Sequence, residues 1–371
     1  SEEDKQWVRD LALEKGEEKP LALKDHTIHY DLKDEQGRIV DRTFYIVNEG
    51  ETVSALANKK LRAEALEDVR EKTVSYTHLT LPMKDHTIHY DLKDEQGRIV
   101  DRTFYIINEG EATSSLGKKM LRADAMKDVK EKMGGVMKGR TMIIGFFNRG
   151  PIGSPAANPA LEITSSAYVM HSAFILYRVA FDSFDAQVEK CGHFYTNVHS
   201  EGLNRPEDLP NARVFMDRSW WTTYSMFCTY AGNTLLMKKG NHRFTVDKSV
   251  YEGNGEQLSE HMFITGIDGT GGRVTWFCGA APSGCGKTTT AMAGNHFVGD
   301  DLAQMWIGDD GAIHAINPES GIFGIVQDVN WEGDPHLMDL LRNEKTEVIW
   351  SNVLIDESQV PHWSGNGEDQ P

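Results

Sequence analysis

The residues best equipped for chemistry lie together between Ala281 and Asp301. Ala281-Pro282-Ser283-Gly284-Cys285-Gly286-Lys287-Thr288-Thr289-Thr290 is a loop of small residues ending in Gly-Lys-Thr. The apolar run Val274 to Ala281 before it reads as a buried strand, and Ala291-Met292 after it can continue a helix. Strand, loop and helix in that order make a phosphate-binding loop, because small residues let backbone N–H groups close around phosphate oxygens. The helix N-terminus adds partial positive charge. Lys287 can reach the β and γ oxygens of a nucleotide, and the Thr288 hydroxyl can hold Mg²⁺. The strict pattern wants Gly where this chain has Ala281, and a Gly-rich turn between strand and helix would use the same residue types. Val298-Gly299-Asp300-Asp301 follows closely. An apolar residue leading into two acids suits a strand end that presents carboxylates to a metal–nucleotide complex, since Mg²⁺ and Mn²⁺ prefer oxygen ligands. Alone, the acidic pair would read as a solvated turn. Cys285, beside Lys287 and the helix start, should hold a more reactive thiolate than Cys191, Cys228 or Cys278. It would equally serve as a small residue packing the loop.

These residues need a scaffold, and the chain has enough residues for one. Its 371 residues suffice for two domains. A hydrophobic content of 39% and a charged content of 26% describe an ordinary globular protein. There is no apolar run of membrane-spanning length and no signal peptide at the charged start, so no membrane is expected. The formal net charge of −17 argues against a nucleic-acid binder, which would show a basic face. The four cysteines are scattered without metal-type spacing, which reads as a reducing, cytoplasmic home. From Thr141 onward, short apolar runs alternate with turns: Met142 to Phe147, Tyr168 to Tyr177, Met262 to Ile267, Val274 to Ala281 and Val348 to Ile355. That is a mixed α/β pattern.

The N-terminal third is dominated by a duplication. Lys24 to Ile46 is identical to Lys84 to Ile106, 23 residues at an offset of 60, and the likeness persists to Lys72 and Lys132. A solenoid would show diverged repeats and more of them. Two near-identical copies read as a recent duplication or two joined fragments. The joint, Thr73 to Met83, resembles translated sequencing-adaptor sequence. Only one copy is expected to find a place in the fold, with the first copy, Lys24 to Lys72, peripheral. Within each copy Thr43 to Val47 reads as a strand, and Leu61, Ala65 and Val69 fall on one face of a helix. His26 and His29, repeated as His86 and His89, would meet at a metal on a helix but point to opposite faces on a strand, which Thr27, Ile28 and Tyr30 favour.

The sequence between about Gly134 and Asp356 resembles GTP-dependent phosphoenolpyruvate carboxykinase. The phosphate loop is similar to that family's kinase-1 loop and Val298-Gly299-Asp300-Asp301 to its kinase-2 motif. Asn317-Pro318-Glu319-Ser320-Gly321-Ile322-Phe323-Gly324, Met137-Lys138-Gly139-Arg140-Thr141-Met142 and Gly150-Pro151-Ile152-Gly153-Ser154-Pro155 match further segments. Tyr230-Ala231-Gly232-Asn233-Thr234-Leu235-Leu236-Met237-Lys238-Lys239 and Glu260-His261-Met262 complete the order. The resemblance implies an N-terminal α/β domain, 84–225, and part of a P-loop nucleotide-binding domain, 226–371, behind an aberrant segment 1–83.

It also implies a reaction and the residues that carry it. Oxaloacetate and GTP would give phosphoenolpyruvate, CO₂ and GDP, a lyase step of gluconeogenesis. Lys239, His261 and Asp301 match the family's ligands for a catalytic Mn²⁺, with Asp301, Lys238 and Lys239 catalytic and Cys285 in the reacting loop. Lys238 would face the transferring phosphate and enolate oxygen. Ser283, Gly284, Cys285, Gly286, Lys287, Thr288 and Thr289 would bind the nucleotide, with Thr288 on its Mg²⁺ and Asp300 behind it. Tyr230, Gly232 and Ser283 match substrate positions, and Arg102 is a candidate for the substrate carboxylate, although Arg42 duplicates it. A monomer is expected. The chain stops soon after Trp363, where family members continue, so a truncated chain with little turnover is expected. An ATP-using carboxykinase, another P-loop kinase and an inactive nucleotide-binding fragment remain alternatives.

Overall fold

The computed structural model describes residues 1–29, 43–47, 49–50, 59–61, 63–65, 87–89, 102–111, 118–202, 206–229, 231–281, 286–351, 353–356 and 358–367. Helix α1 (Glu2–Glu14) turns Val8 and Ala12 into the main core. Strands β1 (Glu18–Pro20) and β2 (His26–His29) follow it as an antiparallel pair. Strands β3 (Thr43–Val47), β4 (Lys59–Leu61) and β5 (Thr87–His89) form a small sheet of their own, in the order β4-β3-β5.

The second copy enters the main sheet through β6 (Thr103–Ile107), β7 (Lys119–Leu121) and helix α2 (Arg122–Met133). Then come β8 (Ile143–Arg149), β9 (Asn158–Thr164), α3 (Ala167–Leu176), β10 (Arg178–Val179) and α4 (Phe184–Cys191). Strands β11 (Tyr195–Ser200), β12 (Arg213–Asp217) and β13 (Thr222–Met226) complete an eight-stranded mixed sheet, order β10-β8-β9-β11-β13-β12-β6-β7. Helix α3 starts where the Ser166 hydroxyl accepts from the Val169 N–H. It lies within the core, with Tyr168, Val169, Met170, Ala173 and Leu176 all buried and His171 buried beside them.

Two helices, α5 (Ala231–Thr234) and α6 (Leu236–Tyr251), lead to the second half. A Cβ on Gly240 would sit 2.2 Å from the Thr223 hydroxyl, so the glycine lets α6 lie directly on β13. The second half is built of small antiparallel sheets. Strands β14 (Gln257–Glu260), β18 (Ala303–Ile307) and β19 (Ile313–Ile316) form one; β15 (Met262–Asp268), β16 (Val274–Ala280) and β17 (His296–Gly299) form another. The short helix α7 (Lys287–Met292) follows the loop, and α8 (Pro335–Arg342), β20 (Val348–Ser351), β21 (Leu354–Ile355) and β22 (Pro361–His362) end the description. Among the described residues, no helix is long and apolar enough to cross a membrane.

The architecture is the mixed α/β one expected, with three corrections. First, the early copy is not wholly peripheral. Strand β2 pairs in parallel with β20, and its Ile28 is buried with Met338, Trp350 and Trp363. The His29 ring stacks on Tyr168 at 3.4 Å, and the Trp350 indole N–H donates to His26 at 3.2 Å. Chain connectivity decides which copy fills which slot, because connections stay short. The strand joined through β1 to α1 lies beside β20, and the strand joined through β7 and α2 to β8 lies beside β12. The pairing Tyr45↔Lys59 in the small sheet repeats the register of Tyr105↔Lys119 in the large one. Second, Leu61 ends strand β4 instead of facing inward from a helix; Ala65 is buried, and Val69 lies outside the described residues. Third, the strand before the phosphate loop is not buried. It is an edge of its sheet, and Trp276 and Phe277 are exposed.

Candidate active site

The first turn of α6 delivers two lysines. The Lys238 ammonium donates to both Glu319 carboxylate oxygens at 2.9 Å and contacts Asp301 Oδ2 at 2.6 Å. Burial works against its charge, but Glu319 and Asp301 outweigh burial and hold its pKa above the ordinary lysine value. Lys287, the first residue of α7, pairs with the other oxygen of Asp301. Two ammoniums from separate elements therefore share one carboxylate. Burial alone would favour the neutral acid, yet Lys238 and Lys287 hold Asp301 well below the usual carboxylate range.

Asp300 is buried, which raises its pKa, and it accepts a hydrogen bond from the Thr288 hydroxyl at 2.9 Å. That bond fixes the start of α7 against the end of β17. The Thr289 hydroxyl donates to Asp334 at 2.7 Å. Lys239 donates to Asn233 Oδ1 at 2.9 Å and to Thr103 Oγ1 at 3.2 Å. Thr103 directly follows Arg102, and Gly232 sits half-buried on α5 one residue before Asn233. Gly286 precedes α7 with φ +79°. His261, between β14 and β15, packs edge-to-face on His242 with ring centroids 4.5 Å apart. Burial, Lys287 and Lys238 keep its imidazole below the ordinary value while Asp301 opposes them. Part of the ring reaches solvent.

Lys238, Asp301 and Lys287 are thus in direct contact, with His261 their electrostatic neighbour. Tyr230, Ser283, Gly284 and Cys285 lie outside the described residues. Among the described residues, no three His, Cys, Asp or Glu side chains are gathered to hold a metal; the set expected from sequence pairs one His and one Asp with a lysine. Glu319 and Tyr177 were given no role by sequence reasoning. The Tyr177 hydroxyl donates to Glu319 Oε1 at 3.1 Å. Glu319 stood inside the Asn317-Pro318-Glu319 segment, the one available signal, whereas nothing in the run ending at Tyr177 marked its hydroxyl.

Two family models match the chain. The model of the phosphoenolpyruvate carboxykinase N-terminal domain matches residues 1–78 and again 74–250, as a duplicated segment should. The model of the phosphoenolpyruvate carboxykinase C-terminal P-loop domain matches 257–371. The phosphoenolpyruvate carboxykinase (GTP) of Pyrococcus furiosus is 38% identical over 312 residues, 82% of this chain and 49% of the relative. The enzymes of that name from Sulfurisphaera tokodaii and Neocallimastix frontalis are 39% and 31% identical, covering 83% and 73% of this chain and 48% and 47% of their own lengths. The chain spans about half the length of the curated relatives it matches. With both domain models in order and relatives aligned across most of its length, the chain belongs to the phosphoenolpyruvate carboxykinase family.

Proposed function

We propose that this chain carries the reacting centre of a GTP-dependent phosphoenolpyruvate carboxykinase, converting oxaloacetate and GTP to phosphoenolpyruvate, CO₂ and GDP. The observation that carries the reading is the shared carboxylate: Lys238 and Lys287 converge on Asp301 beside the phosphate loop of a family member. In the reaction, the carbon–carbon bond to the departing carboxylate breaks, releasing CO₂; its electron pair becomes the enolate carbon–carbon double bond and pushes the carbonyl π pair onto oxygen. That oxygen then bonds the γ-phosphorus, and the bond to the β-phosphate oxygen breaks. Both stages build negative charge, which positioned cations stabilise. In this reading Lys238 faces the enolate oxygen and Lys287 the transferring phosphate.

The donor chemistry suits a divalent cation. Asp301 is an ionised carboxylate and His261 a neutral imidazole, a set that Mn²⁺ accepts. Lys239 is the third proposed ligand, with Asn233 and Thr103 orienting its amine. Bound Mn²⁺ would supply Lewis-acid stabilisation of the developing oxyanion. Thr288 and Asp300 would serve the Mg²⁺ that accompanies GTP, with Ser283 to Thr289 around the phosphates. Tyr230, Gly232 and Arg102 are the proposed substrate contacts. A gluconeogenic role, action as a monomer and a cytoplasmic setting complete the proposal, the last supported by the scattered cysteines.

Phosphorus NMR tests it directly. With oxaloacetate, GTP and Mn²⁺ supplied to the protein, phosphoenolpyruvate and GDP signals should grow together, slowly for the little turnover expected of this chain. GTP left intact while oxaloacetate is present, or ATP consumed in its place, would contradict the reading.

A further inference from the structure

Glu319 belongs to the site by contact and yet has no part in the chemistry above. It is 2% exposed, and its backbone N–H donates to the Asn317 side chain at 3.1 Å. The Tyr177 hydroxyl, just past the end of α3, holds Oε1. Burial raises the pKa of Glu319, and Lys238 pulls it back. Its two oxygens are equidistant from the Lys238 ammonium. That ammonium has a second anion within reach, Asp301, one of the side chains proposed to hold a divalent cation.

We propose that Glu319 is a positioning residue: together with Tyr177 it draws Lys238 away from full pairing with Asp301, and so keeps that carboxylate available to a divalent cation. The inference rests on the carboxykinase reading. Its physical content is competition. An ammonium shared between two carboxylates commits only part of its charge to each, whereas a neutral partner at position 319 would leave Asp301 as the one carboxylate among the described residues in contact with Lys238. The cation would then have to displace a tighter ion pair. Partners that orient a ligand without touching the metal typically set affinity by a factor of 10 to 100. Glu319 touches neither reacting atoms nor cation and acts through Lys238.

The test is a set of Mn²⁺ titrations on the full chain, following free Mn²⁺ by electron paramagnetic resonance. Glu319→Gln preserves shape and removes charge; it should weaken Mn²⁺ binding about tenfold. Tyr177→Phe should weaken it in the same direction by less. Lys238→Met should tighten it by removing the competing ammonium. The decisive sample is the double variant Lys238→Met with Glu319→Gln, which should bind as Lys238→Met does. A Glu319→Gln effect that persists in the Lys238→Met background would show a general structural role and overturn the proposal. So would unchanged affinity in Glu319→Gln. No Mn²⁺ binding by the wild-type chain would overturn the functional reading itself, and the inference with it.

Discussion

A buried ionic side chain in this protein is held from two sides, and His171 shows it most simply. Its ring, 2% exposed, places Nδ1 2.8 Å from Glu18 and Nε2 2.9 Å from Glu347. Both nitrogens face carboxylates, so both carry protons. Burial opposes the charge, but the two glutamates outweigh it and raise the pKa to about 9. An unfolded histidine titrates near 6.5. The stabilisation is therefore complete below about pH 6.5 and is lost as pH rises through about 9, a change of about 3 kcal/mol as an order of magnitude. Denaturant unfolding of the wild type should lose stability across that window. His171→Gln should be weaker at pH 6 and lack the slope, and parallel curves would refute the assignment. Residues of this kind were not legible in the sequence. Glu18, His171 and Glu347 come from distant segments, and no local spacing records their meeting. Lys287 and Thr288 were legible because the phosphate loop brings its groups together within one turn of chain.

At the scale of elements, the duplication makes the sharpest prediction. The fold takes α1, β1 and β2 from before and within the first copy and β6, β7 and α2 from the second. Excising Lys24 to Met83 joins Leu23 to Lys84 and restores a single copy of the repeated sequence. That variant should melt no lower than the parent. Deleting Ser1 to Met83 removes the chain segment carrying Val8, Ala12 and Ile28, all buried, and should cost several kcal/mol. If the larger deletion melts like the parent, the assignment of β2 to the core is wrong. The repeat itself was plain in the sequence, but its division between the copies was not, since identical segments carry no information about which one occupies a slot. Periodicity did mark Ala65 and its counterpart Ala125 as buried, whereas Leu61 falls in a strand because pairing with β3 overrides helical spacing. Helix α6 offers a second test. Gly240→Ala would bring a methyl within 2.2 Å of Thr223, which is itself fully buried, and should destabilise by about 1–3 kcal/mol in thermal melts. Unchanged stability would show that α6 is free to shift.

Over the whole molecule, charge separates by place. In a chain of net charge −17, Lys238 and Lys287 are brought together on Asp301, so positive charge is concentrated at one place and balanced there by carboxylates. The mixed α/β class and the order of the phosphate loop, Asp-Asp pair and lysine pair could be read from sequence. The exposed edge at β16 could not, since an apolar run says that side chains seek cover and not whether they find it. Lys287 and its neighbours are proposed as a working nucleotide-phosphate site. Calorimetric titration of the full chain with Mg·GTP measures it most directly. Binding should saturate and weaken about tenfold or more in Lys287→Ala, the cost of losing a charged hydrogen-bond donor, with the melting profile retained. Equal affinity in the two proteins, or no binding by the wild type, would contradict it.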